Sequence, residues 1–148
     1  MARLLGILFK QVRKGPILLP EEAMLDIHSG VVGDWRGKPG TRQVTLMSLR
    51  DWKTACAELG VELPWYTRRA NLVVDALPLE RSTGARISLG EAVLEVTGET
   101  EPCERMEQAQ PGLFQALLPH WRGGVTCRVI ANGVVRVGME VLMLPAKG

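Results

Sequence analysis

The sequence predicts a mainly β fold. Short apolar runs recur along the chain, separated by Gly, Pro and charged residues. Only one segment, Ser48–Gly60, has strong helical periodicity. Several strands with a single strong helix point to a sheet-based architecture. Closing that sheet into a barrel would hide its edges.

The elements follow in order. Arg3–Val12 reads as a first strand, closed by Lys14-Gly15-Pro16. The loop GVVGDWRGKPGTR, Gly30 to Arg42, precedes a second strand, Gln43–Met47. Ser48 then stands as the N-cap of a helix, with Asp51 at N3 in a capping-box-like place and Gly60 as the stop. Leu49, Trp52, Cys56 and Leu59 share one helical face, so Cys56 belongs to the core. Leu72–Val74 is a short strand. Ala85–Leu89 and Ala92–Thr97 form a hairpin through Gly90-Glu91, with Ala92, Leu94 and Val96 on one face. A mostly helical stretch runs from Cys103 to about Trp121, broken at Pro111-Gly112 and Pro119. Val125–Ala131 and Val134–Leu144 read as a closing hairpin through Asn132-Gly133, the second strand split at Gly138. Cys127 alternates with Val125 and Val129 and is also a core residue.

At 148 residues, 46% apolar and 23% charged, the chain suits one globular domain over residues 1–148. A net charge of +2 argues against a nucleic-acid field. The charge is uneven, though: residues 51–110 hold six Lys/Arg against eleven Asp/Glu, and residues 111–148 hold four against one. No apolar run has transmembrane length, and no signal-like segment appears, so no membrane partner is expected. Three widely spaced cysteines fit neither a disulfide framework nor a zinc pattern, and a reducing, cytoplasmic setting follows. His28 and His120 lack zinc-type spacing with Cys103 or Cys127.

Cys103 is the exception to the core pattern. It sits in GETEPCERM, outside the apolar run AVLEVT, where a helix start would favour a thiolate. Arg105 acts in the same sense, while Glu99, Glu101 and Glu104 favour the neutral thiol. The residues leave that sign open, and a half-buried inert cysteine stands as the alternative. Two further segments supply cations. Arg36, Lys38 and Arg42 ride the glycine-rich loop; Arg68, Arg69 and Asn71 lead into a strand. Such groups suit a phosphate or another oxyanion, or else simply a solvated surface. WRGGV, Trp121–Val125, is a weaker version of the same pattern. Trp35, Trp52, Trp65 and Trp121 lack the basic interleaving of a nucleic-acid platform and suit core or pocket-rim packing.

Read together, GVVGDWRGK, RQVTLMS, RRANLVV, ARISLGEAVLEVTGETEPCERM and GGVTCRVIANGVVRVGMEV resemble, in order, the MOSC family, named for the C-terminal domain of molybdenum cofactor sulfurase. The resemblance implies a β-barrel-like fold with a few peripheral helices. It implies that Cys103 is the functional cysteine. That thiol would be a persulfide carrier, charged by a pyridoxal-phosphate-dependent cysteine desulfurase, or a molybdenum ligand where the molybdenum cofactor is bound. Arg36, Lys38, Arg42, Arg69, Asn71 and Arg105, with Asp34, would line the cofactor or anion site. The family often places a histidine close behind the aspartate of the Gly-Asp loop; here Trp35 and Arg36 follow Asp34, which speaks against an acid–base role for this loop. Pyridoxal phosphate is expected on the partner, since no Schiff-base lysine motif appears. The implied activities are a sulfurtransferase-like carrier serving a molybdoenzyme, or a molybdenum-dependent reductase of N-hydroxylated compounds with a separate electron donor. A non-catalytic anionic-ligand module is the third reading.

Overall fold

The computed structural model describes residues 2–146. Its strands are β1 (Ala2–Ile7), β2 (Glu22–Asp26), β3 (Gly30–Val31), β4 (Val44–Ser48), β5 (Leu72–Val74), β6 (Arg86–Leu89), β7 (Ala92–Glu99), β8 (Val125–Ala131), β9 (Gly133–Arg136) and β10 (Glu140–Leu144). The helices are α1 (Leu49–Glu58), α2 (Glu104–Ala109) and α3 (Leu113–Leu117). Seven strands close a barrel in the order β1-β10-β6-β7-β8-β4-β5, and β5 returns to β1. A three-stranded sheet, β3-β2-β9, stands beside it.

Barrel neighbours are antiparallel except β4 and β5. A parallel pair needs a crossover rather than a tight turn, and α1 supplies it. This explains why the one strong helix lies between those strands. Alternation sorts the side chains: Ala92, Leu94 and Val96 of β7 point inward and are buried. With Leu4, Leu46, Leu72, Ile87 and Cys127 they fill the barrel. A second core lies between the barrel wall and the helices, where Trp52, Cys56, Met106, Leu113 and Leu117 meet Met47 and Val73. Trp52 satisfies its indole N–H on the Leu63 carbonyl at 2.9 Å. Cys56 and Cys127 are thus packing residues.

The structure departs from the sequence reading at several points. The first strand ends at Ile7 instead of Val12, and only Phe9 pairs beyond it, with Leu18. β2 was not expected, because only Leu25 of its five residues is buried and no apolar alternation marks it. Ser48 holds the N-cap position but its hydroxyl makes no cap bond; Oγ donates to the Asp75 carbonyl at 3.4 Å, so the capping box is not formed. The closing hairpin is the largest correction. β8 and β9 do not pair: β9 crosses to β2, and β10 joins β1 and β6. Asn132 is anchored by its side chain, accepting from Ile27 N at 2.8 Å and donating to Asp26 Oδ2 at 3.1 Å. Gly133 is required by close approach, since a Cβ there would stand 2.4 Å from the Ala92 nitrogen. The turn dipeptide is therefore spent on a strand crossing. The hairpin at Gly90-Glu91 and the break at Gly138, with φ +95°, occur as expected.

Candidate functional site

The site is built on three segments, the first two held to the barrel by the buried polar side chains of Gln43 and Asn71. The first is the 30–42 loop. Gln43 is buried at its end, donating Nε2 to the Ile27 carbonyl at 2.7 Å and the Gly37 carbonyl at 3.4 Å, and accepting from Val129 N at 2.9 Å. The loop packs on itself so closely that a Cβ at Gly37 would fall 1.6 Å from the Ser29 carbonyl oxygen. Trp35 N donates to the Lys10 carbonyl at 2.9 Å, drawing the residues after β1 into the same wall. Arg36 lies 5.0 Å from the Trp35 ring centroid, a cation–π distance.

The second segment enters β5. Arg69 takes a left-handed φ of +63° and is exposed. Asn71 is buried, and its amide is fully engaged. Nδ2 donates to the Leu8 carbonyl at 3.0 Å and to Asp34 Oδ2 at 3.2 Å; Oδ1 accepts from Thr45 N at 3.0 Å and Thr45 Oγ1 at 3.2 Å. The third segment joins β7 to α2. Cys103 is its N-cap residue, extended at φ −125°, free and exposed. The Cys103 carbonyl accepts from Met106 N at 2.9 Å, and Met106 buries itself in the helical core.

Asp34, Arg36, Lys38, Arg42, Arg69, Asn71, Cys103 and Arg105 all line one cavity of about 920 Å³. That volume is in the range of ligand sites. Lys10 and Thr100 of this wall escape the sequence reading of the site, and Arg68 has a use there that the sequence does not show. Lys10 lies just past β1, where sequence position carried no signal. Arg68, one of the cations suited to an oxyanion or a solvated surface, turns its guanidinium onto backbone carbonyls. Thr100 is buried, and its Oγ1 is the one buried side-chain polar atom among the described residues without a hydrogen-bond partner.

The wall is cationic. Lys10, Arg36, Lys38, Arg42, Arg68, Arg69 and Arg105 face Asp34, Glu101 and Glu104. None of those seven takes part in an ion pair among the described residues. Burial pushes the Lys10 ammonium below its ordinary pKa, and Arg69, Arg105 and Arg36 push the same way. Cations crowded this way repel one another until an anion joins them. Glu99, outside the wall, is held above the usual carboxylate range by burial and then by Glu101.

Other candidates fall away from the cavity. Arg122 of WRGGV is taken up by Glu58 Oε1 at 2.9 Å and the Ala116 carbonyl at 3.0 Å. His120 pairs with Glu80 at 2.7 Å. Among the described residues no three His, Cys, Asp or Glu side chains gather as a metal cage.

The fold and the site define a small closed-barrel protein with an exposed thiol on the wall of a cationic cavity. Residues 25–142 match the MOSC domain family, and the chain belongs to it. No curated protein matches. Among solved structures the fold is similar to the YuaD protein of Bacillus subtilis, at 22% identity and a TM-score of 0.79, covering 99% of this chain and 98% of that one. YiiM of Geobacillus stearothermophilus is similar at 12% identity and a TM-score of 0.73, covering 97% and 75%. YiiM of Escherichia coli is similar at 19% identity and a TM-score of 0.66, covering 95% and 69%. Among the described residues no helix is long and apolar enough to cross a membrane.

Proposed function

We propose that this protein binds the molybdenum cofactor or carries sulfur through Cys103, with the cationic cavity holding the anionic partner of that thiol. One observation carries the reading: the only exposed cysteine and seven basic side chains line the same cavity. A carrier that merely exposes a thiol would need no such wall. The donor set fits the cofactor. Cys103 would be the protein's ligand to molybdenum, while Lys10, Arg36, Lys38 and Arg69 suit a phosphate through charge-assisted hydrogen bonds. When bound, the cofactor supplies two-electron redox chemistry at a metal that accepts soft sulfur ligands. The residues of this chain bind and orient it. Asp34 is held by Asn71 and by the Lys10 N–H at 3.4 Å, so its carboxylate is a fixed acceptor on the cavity wall.

The sulfur-carrying branch uses the same thiol. A partner desulfurase, itself dependent on pyridoxal phosphate, would present a cysteine persulfide. The Cys103 thiolate attacks its terminal sulfur, a new S–S bond forms, and the donor's thiolate leaves. Exposure of Cys103 suits such an exchange. A cytoplasmic setting, where thiols stay reduced, belongs to the same proposal.

The test is the molybdenum, pterin and sulfane-sulfur content of protein purified from a cofactor-making host, compared with the Cys103→Ser variant. Molybdenum with pterin supports cofactor binding; sulfane sulfur without metal supports the carrier branch. Protein carrying neither refutes both and leaves an anion-binding module.

A further inference from the structure

Arg68 ends the short 3-10 turn Trp65–Thr67 ahead of β5. Its guanidinium reaches back to the segment that carries Cys103. Nε donates to the Gly123 carbonyl at 3.1 Å; Nη2 donates to the Thr100 carbonyl at 3.1 Å and the Glu101 carbonyl at 3.3 Å. These carbonyls belong to two segments, the β7–α2 connection and the turn before β8. The backbone joins the same two, with Thr100 N donating to the Gly124 carbonyl at 2.9 Å. The fit is tight, since a Cβ at Gly123 would lie 2.7 Å from the Thr100 carbonyl oxygen and 3.3 Å from Arg68 Nη2. Only Pro102, stiff at φ, separates Glu101 from Cys103. Pinning the two carbonyls therefore restrains the backbone that leads into Cys103.

The charge of Arg68 has no carboxylate partner among the described residues. Burial lowers its pKa; the field of Cys103 acts in the opposite sense, and Arg42 adds to the lowering. Arg68 is thus a half-buried cation held by neutral carbonyls on the wall that also carries Cys103.

We propose that Arg68 is the positioning residue of Cys103, its planar fork fixing the Thr100–Glu101 backbone and its charge attracting anions to the sulfur. This rests on Cys103 being the working thiol, but not on the cofactor or the persulfide. A lysine would supply the charge as a point and lose the fork.

The experiment compares the full chain with Arg68→Lys and Arg68→Ala. Two quantities are read: hydrogen exchange of the 99–106 peptide, and the ratio of Cys103 alkylation rates with anionic iodoacetate and neutral iodoacetamide at one pH. The ratio cancels the amount of thiolate and reports the field at the sulfur. In Arg68→Ala, exchange of that peptide rises about tenfold against unchanged barrel peptides, as loss of a local anchor requires. The ratio falls about threefold. Arg68→Lys restores the ratio but not the protection; it also carries the test if the alanine variant fails to fold. Variants that keep the parent's ratio and show only a uniform loss of protection overturn the proposal. Protein free of molybdenum and sulfane sulfur still gives both readouts, so failure of the functional reading is distinguishable from failure of this one.

Discussion

Asn71 donates its Nδ2 to Asp34 Oδ2 at 3.2 Å, and the same nitrogen donates to the Leu8 carbonyl at 3.0 Å. Two residues 37 positions apart are thereby locked together across β4, β5 and the 30–42 loop. With Oδ1 already occupied by Thr45, the Asn71 amide has no free donor for a ligand. Its amide holds the cavity wall together and fixes Asp34, and the cations around it carry the exposed charge.

Asn71→Ala orphans the Thr45 N–H and the Leu8 carbonyl and leaves a small void. Each unsatisfied buried group costs about 1–3 kcal/mol, so a loss of roughly 3 kcal/mol is expected. Urea denaturation measures it. A midpoint within error of the parent would show that water replaces the amide without loss.

The three thiols should separate sharply in native alkylation. Burial pushes the Cys127 thiol up, and burial also raises Cys56 against a weaker opposing hydrogen bond at Leu63. Neutral buried thiols are poor nucleophiles. Peptide mass spectrometry should find label on Cys103 alone in folded protein and on all three after unfolding. Cys103→Ser should alter stability by less than about 0.5 kcal/mol, as at other exposed positions.

Polyvalent anions should stabilise the fold. Pyrophosphate at 100 times its Kd adds about 2.7 kcal/mol if it binds only the native state. The rise in melting temperature should shrink in Lys10→Gln and Arg36→Gln and fall as NaCl rises, because the cavity is open and screened. Equal shifts in parent and variants would place the anion elsewhere.

Asp75 provides a pH signature in the fold itself. The Arg3 N–H at 2.9 Å and then the Ala76 N–H at 2.8 Å hold its carboxyl below the ordinary 3.8. A carboxyl with a depressed folded pKa stabilises above its unfolded value, and that contribution disappears as pH falls through the folded one. The stability gap between the parent and Asp75→Asn should be full near pH 6 and close in acid below 3.8. A gap independent of pH would assign the effect to packing.

The barrel was legible because its strands alternate. Ala92, Leu94 and Val96 announce a buried face, and Gly90 announces the turn before it. β2 was silent because Leu25 alone is buried. β9 was misread because Asn132-Gly133 suits a hairpin locally, while side-chain anchoring to Asp26 and close approach to Ala92 win globally. In the site, Cys103 and the loop cations stood out against the apolar pattern. The use of Arg68 did not, since its partners are carbonyls 32 to 55 residues away. Lys10 gains its meaning only from Arg69, Arg105 and Arg36 closing around it.

Native mass spectrometry most directly tests whether Cys103 and the cationic wall form one working site. The samples are freshly purified parent, Cys103→Ser and Lys10→Glu proteins from a cofactor-making host. The parent should carry extra mass, either a molybdenum-pterin species or one added sulfur. Cys103→Ser should lose the sulfur or the metal, and Lys10→Glu should lower the occupancy of any cofactor. A parent of bare mass, or a Cys103→Ser protein with the parent's full extra mass, would contradict the account.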